Sequence, residues 1–133
     1  MRVLLVGAGE VADRLAETLS GPDVAVERVP EPASAEAGAE EITAIAKSLL
    51  EFEDLLAENG PAAVVLASRS DSSLAALLVA TKLGLPTASL EPLSEEAGDD
   101  VNARLIGQLA DMKLAVDAEA ILAWLRDAYT SAP

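Results

Sequence analysis

The chain has 133 residues, 51% of them hydrophobic, enough to bury a core in one domain and too many for wholesale disorder. It contains no Cys and no His, which excludes disulfides, thiolate nucleophiles, Cys/His zinc sites and histidine acid–base catalysis. Twenty-three Asp and Glu against nine Lys and Arg give a net charge of −14, a surface that repels phosphate backbones, so no nucleic-acid partner is expected.

Residues 3–6, Val-Leu-Leu-Val, predict a buried strand, and Gly7-Ala8-Gly9 a turn. A helix is predicted over 10–19, where Val11, Ala12, Leu15 and Leu19 keep helical spacing; Ser20-Gly21-Pro22 stops it. Residues 24–29 read as a second, more polar strand. Pro30 and Pro32 then break the chain, since neither can donate to a ladder. One long helix is predicted over 35–58, with Ile42, Ile45, Leu49, Phe52 and Leu56 at spacings of three and four, ended by Asn59-Gly60-Pro61. Residues 62–67 are a third strand whose unbroken apolar run implies burial on both faces. A polar loop follows at 68–73, then a nearly all-apolar helix over 74–83 ended by Gly84. A short strand at 86–90, an acidic loop at 91–100, a helix at 101–110 and a weak strand at 113–116 come next. Asp117 is placed to cap a last helix over 118–129.

This order, βαβαβαβαβα, predicts an α/β fold: a three-layer, doubly wound, five-stranded parallel sheet of Rossmann-like or flavodoxin-like type. Residues 1–133 are expected to form a single such domain. The only low-complexity stretch, 31–41, reads as a loop running into a helix start. The N-terminal apolar run is too short for a signal-peptide core or a membrane span. A cytoplasmic protein without a membrane segment is the expectation.

Ligands of an open parallel sheet sit beyond the carboxyl ends of its strands. Three polar loops are expected there. Gly7-Ala8-Gly9-Glu10-Val11-Ala12 matches G-x-G-x-x-A between a strand and a helix; Gly7 and Gly9 would let backbone approach a phosphate, although Glu10 would repel it. In Ser68-Arg69-Ser70-Asp71-Ser72-Ser73, the hydroxyls of Ser70 and Ser72 can cap a helix or bind a phosphate or sugar, and Arg69 supplies a cation. The third loop carries Glu91, Glu95, Glu96, Asp99 and Asp100. Clustered carboxylates can hold a divalent cation or form an acid–base pair. Their spacing is not that of an EF-hand and reads as a solvated charged loop, so no metal site and no cofactor are expected.

Residues 40–117 combine a long helix, Gly60-Pro61-Ala62-Ala63-Val64-Val65-Leu66, the serine-rich turn, Gly84-Leu85-Pro86-Thr87-Ala88-Ser89-Leu90-Glu91, Asp99-Asp100-Val101-Asn102-Ala103-Arg104 and Leu114-Ala115-Val116-Asp117. In order and spacing this resembles the N-terminal domain of the non-hydrolysing UDP-N-acetylglucosamine 2-epimerases. That family has a Gly-Asp-Thr-rich turn, a strand ending in His-Val-Glu-Ala-Gly and a Pro-Glu-Glu-x-Asn-Arg helix start. The resemblance places the family's turn aspartate on Ser70, with Asp71 one place later. It places the glutamate on Glu91, the histidine on Ser89, the acidic pair on Asp99 and Asp100, and the asparagine on Asn102; Ala103 takes the arginine position. A second resemblance, carried by residues 1–20 and by Lys82-Leu83-Gly84, is to nucleotide-binding domains that regulate potassium conductance.

The first resemblance implies a stand-alone, non-catalytic relative of the epimerase N-terminal domain, acting as a binding or interaction module without the family's second domain. The alternatives are a nucleotide-sensing regulatory domain using Gly7 and Gly9, and half of a two-chain sugar-nucleotide epimerase. In the last, Glu91, Asp99 and Asp100 are the catalytic candidates. Gly7, Gly9, Arg69, Ser70, Ser72 and Asn102 are the expected contacts to a nucleotide or nucleotide-sugar. A homodimer is expected through the helix over 35–58, whose near-3.5 apolar period suits a helix–helix seam; the epimerase resemblance implies pairing through this domain as well.

Overall fold

A computed structural model describes residues 2–7, 9–29, 41–58, 63–68, 70–90 and 101–131, without the side chains of 41–44, 58 and 129–131. In chain order these form β1 (Arg2–Val6), α1 (Glu10–Leu19), β2 (Ala25–Val29), α2 (Glu41–Glu58), β3 (Ala63–Leu66), α3 (Asp71–Leu83), β4 (Thr87–Leu90), α4 (Val101–Leu109), β5 (Met112–Leu114) and α5 (Ala118–Ser131). The five strands make one sheet in the order β2-β1-β3-β4-β5, and every neighbouring pair is parallel. The three-layer α/β fold expected from the alternation is the fold observed.

β1 and β3 lie side by side at the centre, with Val3 to Val6 and Ala63 to Leu66 all fully buried. The pleat sends their side chains to opposite faces. Val3, Leu5, Ala63 and Val65 pack with Ala12, Leu15 and Leu19 of α1 and Ile121 and Leu125 of α5. Leu4, Val6, Val64 and Leu66 pack with Phe52 and Leu56 of α2, the apolar length of α3, and Ile106 of α4. Burial of both faces by aliphatic side chains is what selects a parallel sheet with crossover helices.

The boundaries differ from expectation where local chemistry outweighs hydrophobic spacing. α3 begins at Asp71 rather than 74, because Ser70 caps it: its side chain accepts from the Ser73 N–H at 3.1 Å. The last turn of α3 closes on Gly84 at φ +73°, and the Leu85 N–H reaches back to the Ala80 carbonyl at 2.9 Å, a left-handed stop. β5 is shorter and earlier than the expected 113–116. The start of the long helix, residues 35–40, lies outside the described residues, as does the acidic loop 91–100. The apolar stripe expected as a dimer seam is partly used within the chain: Phe52 and Leu56 are buried in its own core, and Ile45 and Leu49 are half-buried.

One polar clamp fixes the far edge of the sheet. Asp111, just before β5, accepts from the Thr87 N–H at 3.0 Å and from the Thr87 hydroxyl at 3.2 Å, while its own N–H donates to that hydroxyl at 3.0 Å. Thr87 is 1% exposed, so its N–H and hydroxyl rely on this carboxylate, which reaches them from the exposed Asp111. Asp111→Ala is expected to lower unfolding free energy by about 1–3 kcal/mol, the cost of stranding a buried donor. Asp111→Asn, which keeps an acceptor oxygen, should lose less; urea unfolding followed by circular dichroism measures both.

Candidate functional site

The strand order places a topological switch between β1 and β3. From β1 the chain crosses one face through α1 to β2; from β3 it crosses the other face through α3 to β4. The two loops diverge there, and a crevice opens beyond the carboxyl ends of the strands. Backbone bonds hold its floor: Gly7 N–H donates to Val29 O at 3.2 Å and Ala67 N–H to Val6 O at 2.8 Å.

Gly7 must be glycine here. Its φ is +142°, and a Cβ would stand 3.1 Å from Ala67 Cβ and 3.2 Å from the Ala67 carbonyl carbon. Gly9, at φ +105°, opens α1 with no side-chain cap, and a Cβ there would meet nothing within 4 Å. An uncapped helix start is a position that suits an anion. Glu10 and Asp13 in the first turn act against it.

Arg28, at the end of β2, offsets part of this charge. Its Nη1 pairs with Asp13 Oδ1 at 2.7 Å, and its Nη2 donates to the Gly7 carbonyl at 3.0 Å. Its Nε is buried and has no partner among the described residues. Sequence pattern does not single out Arg28, whose local signal is a lone cation near the end of that strand. The glycine turn is thus held from the side by a guanidinium, and the ion pair leaves the cation with little net charge to offer a ligand.

Across the crevice the hydroxyls form a cluster. Ser68 Oγ lies 2.6 Å from Ser73 Oγ and 3.2 Å from Ser70 Oγ. Ser73 is fully buried and Ser72 is 6% exposed, so the first turn of α3 turns two of its hydroxyls inward. Asn102 Nδ2, from the first turn of α4, donates to Asp71 Oδ1 at 2.9 Å and ties the starts of the two helices together. Ser89, second from the end of β4, is 3% exposed, and its Oγ has no partner among the described residues.

The structure therefore brings Gly7, Gly9, Ser70, Ser72 and Asn102 to one edge of the sheet. Arg69, Glu91, Asp99 and Asp100 lie outside the described residues. Among the described residues, no three His, Cys, Asp or Glu side chains are grouped to hold a metal ion. No helix among them is long and apolar enough to cross a membrane. The described edge offers hydroxyls, an amide and two helix starts. This is a hydrogen-bonding surface, and its one carboxylate beside the serine cluster, Asp71, is engaged by Asn102.

No family model and no curated protein sequence matches the chain. Solved structures do. The S. aureus MnaA–UDP co-structure matches with a TM-score of 0.69 at 17% identity, over 98% of this chain and 41% of that one. UDP-GlcNAc 2-epimerase from Methanocaldococcus jannaschii matches with a TM-score of 0.69 at 18% identity, over 96% and 42%. UDP-GlcNAc 2-epimerase from Neisseria meningitidis bound to UDP-GlcNAc matches at 0.68 and 15%, over 100% and 44%. The chain thus spans less than half the length of the structures it matches, and what it shares with that part of them is the fold.

Substitutions at the switch separate strain from capping. Gly7→Ala is expected to cost about 1–3 kcal/mol through its positive φ. It should cost more than Gly9→Ala, since only Gly7 also crowds a neighbour. Ser70→Ala should lose about 1 kcal/mol with the cap, and Ser70→Asp should retain most of it. Thermal denaturation of the four variants provides the comparison.

Proposed function

We propose that this chain is a binding module: a non-catalytic relative of the UDP-GlcNAc 2-epimerase N-terminal domain that holds a nucleotide or nucleotide-sugar at the carboxyl edge of its sheet. The observation that carries the reading is the pair of half-buried hydroxyls Ser68 and Ser70 at the mouth of the β1/β3 switch, held from within by the buried Ser73, with Asn102 and Asp71 beside them. Hydroxyl and amide groups fix a sugar or phosphate by hydrogen bonds but do not move protons near neutral pH. Two of the matched structures are described with UDP and with UDP-GlcNAc bound, which supports a uridine nucleotide as the first ligand to try. Abstraction of a proton from a sugar carbon needs a positioned base of suitable pKa. The resemblance puts serine where the family has its turn aspartate, so turnover is not expected of the isolated chain.

A second reading has its own observation. The uncapped start of α1 at Gly9, beside the glycine-only backbone of Gly7, also suits the phosphates of a nucleotide sensed by a regulatory domain.

Thermal shift against UDP, UDP-GlcNAc, NAD and ATP distinguishes the readings. UDP or UDP-GlcNAc at a hundred times its Kd should stabilise the fold by about 2.7 kcal/mol. The shift should shrink in Asn102→Ala and persist in Gly9→Ala. A shift with NAD or ATP that disappears in Gly9→Ala selects the sensor. Turnover of UDP-GlcNAc by the pure chain, lost in Glu91→Gln, would overturn the non-catalytic reading and favour half of a two-chain epimerase.

A further inference from the structure

The outer face of the α2/α3 pair carries an open groove of about 370 Å³, lined by Leu49, Leu50 and Glu53 of α2 and Leu78, Lys82 and Leu83 of α3. Leu50 is 65% exposed, the most exposed large hydrophobic side chain among the described residues, and Leu83 is 45% exposed. Apolar surface gathered in this way is normally covered in a soluble protein. α2 supplies more of it than its sheet can use. Its 18 residues span about 27 Å, whereas the four residues of β3 span only about 13 Å.

The walls decide what kind of chain fits. Both are helices, whose backbone donors and acceptors are used within the helix. An extended segment laid between them would find no ladder partner and would set its own backbone groups against leucines, a costly burial. A helix satisfies its backbone internally and presents only side chains, and an apolar stripe at i, i+3, i+4 and i+7 is what a leucine-lined groove receives. The groove is open along its length, so it does not enclose a small molecule as small-molecule sites do.

The charges decide the sign of the occupant. Beside Leu50, α2 exposes Glu51, Glu53 and Asp54, whereas the opposite wall exposes one base, Lys82. None of these four forms an ion pair within the chain among the described residues. With a net charge of −14, the molecule as a whole draws cations toward this surface and repels anions. A second copy would set the same acidic crest, and a further −14, against it, and like charges facing one another oppose association.

We propose that the α2/α3 groove is the docking site for an amphipathic helix of a different protein, one with an apolar stripe for the leucines and basic residues on the flank that meets α2. Leu49, Leu50, Leu78 and Leu83 receive the stripe, and Glu53 and Asp54 receive the basic flank. Phe52 and Leu56 take no part, because the chain's own core consumes them. The groove shares no residue with the candidate ligand site, so docking and ligand binding succeed or fail separately.

Fluorescence anisotropy with labelled helical peptides about as long as the 18 residues of α2 tests this on the full chain. The first peptide carries leucines at helical spacing with lysines on the flanks. The second has glutamates in place of the lysines, and the third keeps the composition of the first with the stripe scrambled. The first should bind saturably, and the other two at least about tenfold more weakly. Leu50→Glu should weaken the first at least about tenfold with an unchanged circular dichroism spectrum. That variant adds an acid, so attraction by net charge alone gives the opposite result, a tighter complex. Glu53→Lys should also weaken it. No saturable binding of the first peptide, equal binding of its scrambled form, or binding undiminished by Leu50→Glu would overturn the groove as the docking site. Equal binding of the lysine and glutamate peptides would overturn the charge of the occupant. A wild-type mass of twice 13.6 kDa by light scattering that falls to 13.6 kDa in Leu50→Glu would make the occupant a second copy and overturn the foreign helix.

Discussion

The structure depends on one constraint: two adjacent strands, β1 and β3, are buried on both faces. Eight consecutive-in-strand positions, Val3 to Val6 and Ala63 to Leu66, have no exposed surface. Each fully buried aliphatic side chain contributes about 1.5–3 kcal/mol relative to exposure, and that gain requires a helical layer on either side. Two layers of helices force crossover connections, and crossovers of one hand make every strand parallel. Parallel strands bring all their carboxyl ends to one edge. The position of the candidate site is therefore a consequence of hydrophobic burial several ångströms beneath it.

At that edge the polar groups are organised by the same economy of unsatisfied bonds. The backbone beyond β1 is tied to both neighbours, through Gly7 N–H to Val29 and Ala67 N–H to Val6. Such close approach leaves no room for a side chain at residue 7. The guanidinium of Arg28 spans from Asp13 to the Gly7 carbonyl and stiffens the turn from outside. Opposite it, the serines satisfy the start of α3 and one another, and Asn102 joins α3 to α4 through Asp71. A crevice whose walls are internally bonded is preorganised, and preorganisation reduces the entropy that a ligand must forfeit on binding.

The carboxyl edge and the outer face of the α2/α3 pair have different characters. The carboxyl edge is polar and glycine-bearing, whereas the groove between α2 and α3 is lined mainly by leucines, with Glu53 and Lys82. This division follows from helix length. α2 must return from the carboxyl edge to the start of β3, and it is longer than the strand it covers, so part of its apolar surface finds no sheet beneath it. The net charge of −14 makes most of the surface self-repelling.

The amino-acid sequence by itself determined the element order, the parallel sheet and the edge to which the glycine turn and the serine-rich turn are brought. These follow from the period of apolar residues and the placement of glycine and proline, which are local properties. α1 was legible to the residue, because Gly9 precedes it and Ser20 follows it. The start of α3 was not: the hydrophobic spacing begins at Leu74, but the Ser70 cap four residues upstream sets the boundary. Tertiary structure alone decided which residues meet across the chain. Asn102 reaches Asp71 over 31 positions, Asp111 reaches Thr87 over 24 and Arg28 reaches Gly7 over 21. It also divided the apolar stripe of α2, sending Phe52 and Leu56 into the core and leaving Leu50 outside. Periodicity places residues on a helix face, but the angle at which that face meets the sheet is set by packing against every other element, and no local pattern encodes it.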